Sequence, residues 1–240
     1  MKTIKSIAAA FAMVSATIAA PAFAEPIMLD SSKIGESFTI NYDGFANGVT
    51  IDGLTAQTIF TLTGINGSTY AFDYAVTNTS SDGINARISS FAFNTDPEIS
   101  GATSTGTYNF VVTDSNYPNG IGTVDVCFKS GGSNSCAGNS GGLFAGETGT
   151  GSLSLNFLTA PTSITLDDFF VRYQSITGAG EITSASGKEV SSTTSTSSGG
   201  TEVPAPGGML ALFALSLLGF GLVRRRPRGS APAVGQPAFA

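Results

Sequence analysis

The amino-acid sequence predicts an all-β body, a β-sandwich or jelly-roll-like extracytoplasmic domain, followed by a flexible linker and a single C-terminal transmembrane helix. Three observations predict the β body. Apolar residues recur at period two, turn dipeptides separate those runs, and no sustained helical stripe interrupts residues 25–182. Glycine, at 30 of 240 residues, and abundant Ser and Thr suit tight turns and strand edges, while charged residues make up only 12%.

Taken in chain order, Phe38, Ile40 and Tyr42 open the alternation, and Tyr70, Phe72, Tyr74 and Val76 share one face of the run Thr69 to Thr77. Ile88 to Phe93 follows, then Tyr108, Phe110 and Val112, then Val124, Val126 and Phe128. Leu153, Leu155 and Phe157, with Ile164 to Tyr173, complete a set of about eight to ten strands. Between them stand turn signals: Tyr42-Asp43-Gly44, Asn66-Gly67, Asp82-Gly83 and Pro118-Asn119-Gly120. Asn-Gly and Asp-Gly readily take the positive φ angles that tight hairpins need.

Charge is divided unevenly along the chain. All 17 acidic residues lie between Glu25 and Glu202, and only Lys33, Arg87, Lys129, Arg172 and Lys188 offset them there. That span carries a net charge of −12, so nucleic acid does not suit it as a partner, because phosphate binding needs cationic neutralisation. The chain has no histidine, which excludes Ser-His-Asp and Cys-His catalysis and ordinary zinc sites. Neither a cofactor nor a metal is expected.

Both ends read as addresses. Residues 1–24 carry Lys2 and Lys5, an apolar core from Ile7 to Ala20, and then Ala22-Phe23-Ala24. This is the pattern of a secretory signal peptide cut between Ala24 and Glu25, implying the Sec translocon and signal peptidase as partners. At the other end, residues 183–202 form a Ser/Thr/Gly-rich linker. Val203-Pro204-Ala205-Pro206-Gly207-Gly208 follows, and the 17 uncharged residues 207–223 reach the lower edge of what spans a bilayer as a helix. Arg224, Arg225, Arg226 and Arg228 come at once after it and fix that end in the cytoplasm, leaving the body outside.

Motif, apolar helix and basic cluster, in that order over residues 203–228, resemble the PEP-CTERM sorting signal of Gram-negative bacteria. The motif here has the VPAP form, with Ala205 in place of the usual glutamate. The resemblance implies recognition by an exosortase-type membrane transpeptidase. The protein would pass through a single-pass inner-membrane intermediate and then reach the cell surface or extracellular matrix. Family tails stop soon after the basic cluster, whereas this chain continues as a short cytoplasmic extension, 229–240. The strand-and-tail layout, with Ile164-Thr165-Leu166-Asp167-Asp168-Phe169-Phe170-Val171-Arg172-Tyr173, is also similar to the cistern group of PEP-CTERM proteins.

Inside the body, Cys127 and Cys136 are the only cysteines, and eight residues separate them. Export places them in an oxidising compartment, so a disulfide closing a hairpin-like loop is expected. Asp114 to Gly120 has oxygen side chains at near-alternate positions, yet one carboxylate falls short of a calcium loop, and it reads as a turn. Asp96 with Glu98, and Asp167 with Asp168, are the carboxylate pairs a glycosidase could use; they read as loop and strand-edge charges. Most of the six tyrosines alternate with core residues; Tyr117, between Asn116 and Pro118 in an expected loop, is the best candidate for exposure in a carbohydrate groove. These readings point to a non-enzymatic, surface-sorted structural or matrix protein. The second reading is a module binding extracellular polysaccharide or calcium, and the third a carboxylate hydrolase.

Overall fold

Strict in-out alternation along the longest runs builds the sheet. Phe38, Ile40 and Tyr42 are buried on one strand and Tyr70, Phe72, Tyr74 and Val76 on another, with polar side chains between them. The computed structural model of the chain describes residues 25–81, 83–137 and 140–195. Among them are twelve strands: β1 (Ile27–Leu29), β2 (Ser37–Ala46), β3 (Val49–Asn66), β4 (Thr69–Asn78), β5 (Asn85–Asp96), β6 (Gly101–Ser104), β7 (Phe110–Tyr117), β8 (Gly122–Lys129), β9 (Leu143–Phe144), β10 (Thr148–Asn156), β11 (Ile164–Thr177) and β12 (Ser184–Ser195). Two 3-10 turns, Ser31–Lys33 and Gly106–Tyr108, accompany them. The all-β class expected from the sequence is what the structure has.

All the strands join one antiparallel sheet in the order β6-β10-β4-β3-β2-β12-β11-β5-β8-β7, with β1 added to β11 and β9 to β5. The expectation of two packed sheets is therefore replaced by a single sheet that curls until its walls face each other. Ring contacts demonstrate this. Phe60 on β3 stacks on Phe38 of adjacent β2 at 5.4 Å, and it also meets Phe91 and Phe93 of β5 at 5.7 and 5.9 Å. Three strands separate β3 from β5 along the sheet, so these contacts cross the interior. One continuous aromatic core results.

The two end strands of the path, β6 and β7, approach within 8 Å. Residues 105–109 carry the chain across the gap between them. This seam is hydrogen-bonded by tyrosines: Tyr74 Oη donates to Thr105 O at 2.7 Å and accepts from Tyr108 N at 2.9 Å, while Tyr108 Oη donates to Ile88 O at 2.9 Å. The crossing presses on β10 so closely that a Cβ on Gly151 would stand 2.1 Å from Thr105 O and 2.4 Å from Tyr74 Oη. Only glycine fits there.

A second interruption lies between β11 and β12. From Ser184 to Lys188, β12 pairs with β11. Beyond Lys188 it follows β2 alone, through a bulge at Glu189/Ser191, while β1 takes over the β11 edge from Leu166 to Ile164. The sheet forks here. Between β1 and the departing half of β12 runs a groove of about 240 Å³, lined by Ile27, Met28, Leu29, Phe38, Ser192 and Thr194, with the Lys33–Glu36 ion pair at its rim.

Several sequence expectations are corrected. Tyr42-Asp43-Gly44 is not a turn: Gly44 lies inside β2, where a Cβ would meet Leu54 Cδ2 at 2.4 Å. The β2–β3 turn is Asn47-Gly48, with φ of 52° and 78°, the type I′ signature. Asn66-Gly67 and Pro118-Asn119-Gly120 do connect hairpins. Tyr108 belongs to the 3-10 turn, and Phe110 is 43% exposed, so their period-two spacing was not a strand face. The linker expected at 183–202 is, from Ser184 to Ser195, a strand paired with β11 and β2. Its small residues suit the position, because Ala185 and Gly187 sit among large side chains such as Tyr173. The body thus extends past residue 182.

No helix among the described residues is long and apolar enough to cross a membrane. The signal segment 1–24, the motif 203–208, the expected helix 207–223, the Arg224–Arg228 cluster and the extension 229–240 lie outside the described residues.

Candidate functional site

Alternation on β8 places Val126 and Phe128 in the main core and turns Cys127 to the opposite face. There it meets Cys136 at disulfide distance, with a Cα–Cα separation of 6.0 Å, inside the usual range for a bridge. The expected pairing is thus present in the geometry. Around it forms a second small core of Ala92, Tyr117, Val124 and the two cysteines, flanked by Phe170. Tyr117, expected in an exposed loop, is fully buried; its ring packs on Phe170 at 5.8 Å. It is the last residue of β7, paired with Gly122.

Polar side chains hold the segment after β8 down over this core. Lys129 is fully buried, and its ammonium donates to Ser133 Oγ at 2.8 Å, to Ser135 O at 3.0 Å and to Ser133 O. Ser90 Oγ donates to Cys136 O at 3.2 Å, and Gln174 Nε2 to Ala137 O at 2.5 Å. Arg172, also buried, donates from Nη1 to Ala185 O at 2.9 Å and to the Asn119 amide oxygen at 3.2 Å. Sequence reasoning treated Lys129 and Arg172 only as charges. The structure uses both as hydrogen-bond donors that satisfy backbone carbonyls.

The two carboxylate pairs fall near the β5–β11 border. Asp125 Oδ2 accepts from Thr95 N at 2.7 Å, and Asn94 links Asp125 N at 3.1 Å to Asp168 Oδ2 at 3.1 Å. Burial, then the charges of Asp168, Asp125 and Asp96, raise the Asp167 pKa. Of the four carboxyls in the two pairs, Asp168 accepts a hydrogen bond from Asn94. Neither the groove beside β1 nor the shallow depression on β3, β4 and β10 includes Asp96, Glu98, Asp167 or Asp168. The expected turn Asp114 to Gly120 is the end of β7 with its hairpin loop. Among the described residues, no group of three His, Cys, Asp or Glu side chains is placed to share a metal ion.

At the fork, Glu189 opposes Tyr42 across the β12–β2 pair. The residue is half-buried, and its Oε1 is buried with no hydrogen-bond partner. Burial raises its pKa to about 7; the charges of Asp168 and Asp167 act in the same direction, and the Ser192 hydroxyl opposes them. The Tyr42 hydroxyl is likewise buried and unpartnered, as is Thr58 Oγ1.

The outer face of β12, β2, β3, β4 and β10 is different again. Antiparallel register aligns Ser191, Asn41, Gln57, Thr77 and Thr148 in one rung across five strands. Asn41 Nδ2 donates to Ser191 Oγ at 3.2 Å, Gln57 Nε2 to Asn41 Oδ1 at 3.0 Å, and the Thr77 and Thr148 hydroxyls lie 2.9 Å apart. A parallel rung runs Ser195, Ser37, Thr61, Asp73 and Ser152, with the Ser37 and Thr61 hydroxyls 2.7 Å apart and Ser152 Oγ bonded to Asp73 Oδ1 at 2.7 Å. Asp73 is the only charge in the two rungs. The arrangement presents hydroxyls and amides over a broad face, with a shallow depression among Ile59, Thr61, Ala75 and Thr150. No family model, no curated protein and no solved structure matches the chain.

Proposed function

We propose that this is an exported, non-catalytic structural protein of the cell surface or extracellular matrix, sorted by its C-terminal tail. The observation that carries the reading is the order of motif, apolar stretch and arginine cluster over residues 203–228, beyond a β body whose last described strand runs to Ser195. On this reading the Sec translocon and signal peptidase release the chain at Ala24–Glu25. The tail then holds it as a single-pass inner-membrane intermediate, with the body outside and Arg224 to Arg228 inside. An exosortase-type transpeptidase then cuts near Val203 to Gly207 and passes the body outward, as PEP-CTERM proteins are handled. The polar, densely hydrogen-bonded body suits a structural role. Deleting residues 203–240 tests the proposal by cell fractionation. The deletion is expected to move the protein from membrane and surface fractions to the periplasm, and an unchanged distribution would reject sorting by the tail.

A second reading, a binding module for neutral extracellular polysaccharide, is favoured by the rungs on β12, β2, β3, β4 and β10. Their hydroxyl and amide groups match the hydroxyls of an uncharged glycan, and a body of net charge −12 would repel an anionic one. Without aromatic platforms in the rungs, each contact is weak and affinity must come from polymer length. Affinity electrophoresis in gels containing dextran is expected to retard the protein, and Thr61→Glu to restore its mobility. Equal mobility with and without dextran would remove this reading and leave the sorting proposal untouched.

A further inference from the structure

The fork between β11 and β12 combines features that together describe a device. Past Lys188, β12 has strand pairing on one edge only, to β2; its other edge borders the groove beside β1. Glu189 sits where this change occurs, with one carboxyl oxygen buried and unpartnered. Directly opposite stands Tyr42, whose hydroxyl is also unpartnered. An ionised carboxylate in that position has the Ser192 hydroxyl beside it, but its buried oxygen Oε1 lacks the hydrogen bond that makes burial tolerable.

The charged groups around it do not compensate. On β11, Asp167 and Asp168 add like charge. On β2, Asp43 is the neighbour of Tyr42 and pairs in register with Lys188. The Lys188 ammonium itself lies over the Phe45 ring, 5.9 Å from its centroid. In the groove, Lys33 is bound to Glu36 at 3.1 Å, and Glu25 is a further acid. The ionised form can be hydrated at least cost by lifting the half-strand that has a single partner. The protonated form needs no such movement.

We propose that Glu189 is a proton-operated latch on the last half of β12: protonated, it lets residues 189–195 lie closed on β2, and ionised, it favours their release from the fork. The inference does not depend on sorting; it concerns the body alone.

Hydrogen exchange on the full chain in detergent micelles tests it. Between about pH 5.5 and pH 8.5, after correction for intrinsic exchange, protection of the 191–195 amides is expected to fall roughly threefold, while that of the 70–76 amides stays level. Glu189→Gln is expected to abolish the fall. Asp168→Asn is expected to keep it but to move its midpoint to lower pH, because removing a like charge makes ionisation of Glu189 easier. The proposal is overturned if the fall persists in Glu189→Gln, if Asp168→Asn moves its midpoint upward, or if the unaltered chain shows no fall.

Discussion

The curled sheet is interrupted twice, and the two interruptions are resolved in opposite ways. At the β6–β7 seam, the ladder stops but the polar groups are satisfied: Tyr74 Oη both donates and accepts, and Tyr108 Oη reaches Ile88 O. At the β11–β12 fork, Tyr42 Oη, Thr58 Oγ1 and Glu189 Oε1 are buried without partners. The same residue type, a buried tyrosine, therefore closes one gap and is left unpaired near the other. The seam is rigid by hydrogen bonding and tight packing; the fork is the place where the sheet can open at least cost.

The largest contrast should come from packing. Gly151→Val forces a side chain against Thr105 O and Tyr74 Oη, and overpacking of this kind is expected to cost about 3 kcal/mol in chemical denaturation. Next, Tyr74→Phe removes the hydroxyl that serves two backbone groups and should cost about 2 kcal/mol, since Tyr108 N loses its acceptor.

The fork should respond to pH instead. Glu189 has a folded-state pKa raised from 4.5 to about 7, so the native state holds a proton that the unfolded chain has lost. Stability is then greatest below the unfolded value and declines as pH rises from about 4.5 to about 7, levelling off above. With solvent reaching half of the residue, the decline should be about 1 kcal/mol, and Glu189→Gln should remove it. The smallest effect belongs to Tyr42→Phe, expected to change stability by less than about 0.5 kcal/mol because no bond is lost. If Tyr42→Phe costs as much as Tyr74→Phe, the distinction between seam and fork is wrong.

Much of this was legible in the sequence, where side chains alternate regularly. Tyr70 to Val76 and Val124 to Phe128 point inward as their spacing indicates, and Cys127 and Cys136 meet. Composition misled at Ser184 to Ser195, because small hydroxyl residues serve equally in a linker and in a strand crowded by Tyr173 and Tyr42. Tyr117 was misplaced because the second core beneath residues 130–137 depends on long-range contacts with β5 and β11 that no local pattern encodes. The curling into one sheet was hidden for the same reason: alternation reports which residues face inward, and not which wall they face. Glu189 gave no signal, since its burial follows from a bulge and a change of partner.

Export and sorting are tested most directly by the intact mass of the protein recovered from cells. The expected species begins at Glu25 and ends within residues 203–208, with or without attached polymer. A single species retaining Met1 and Ala240 would contradict the account.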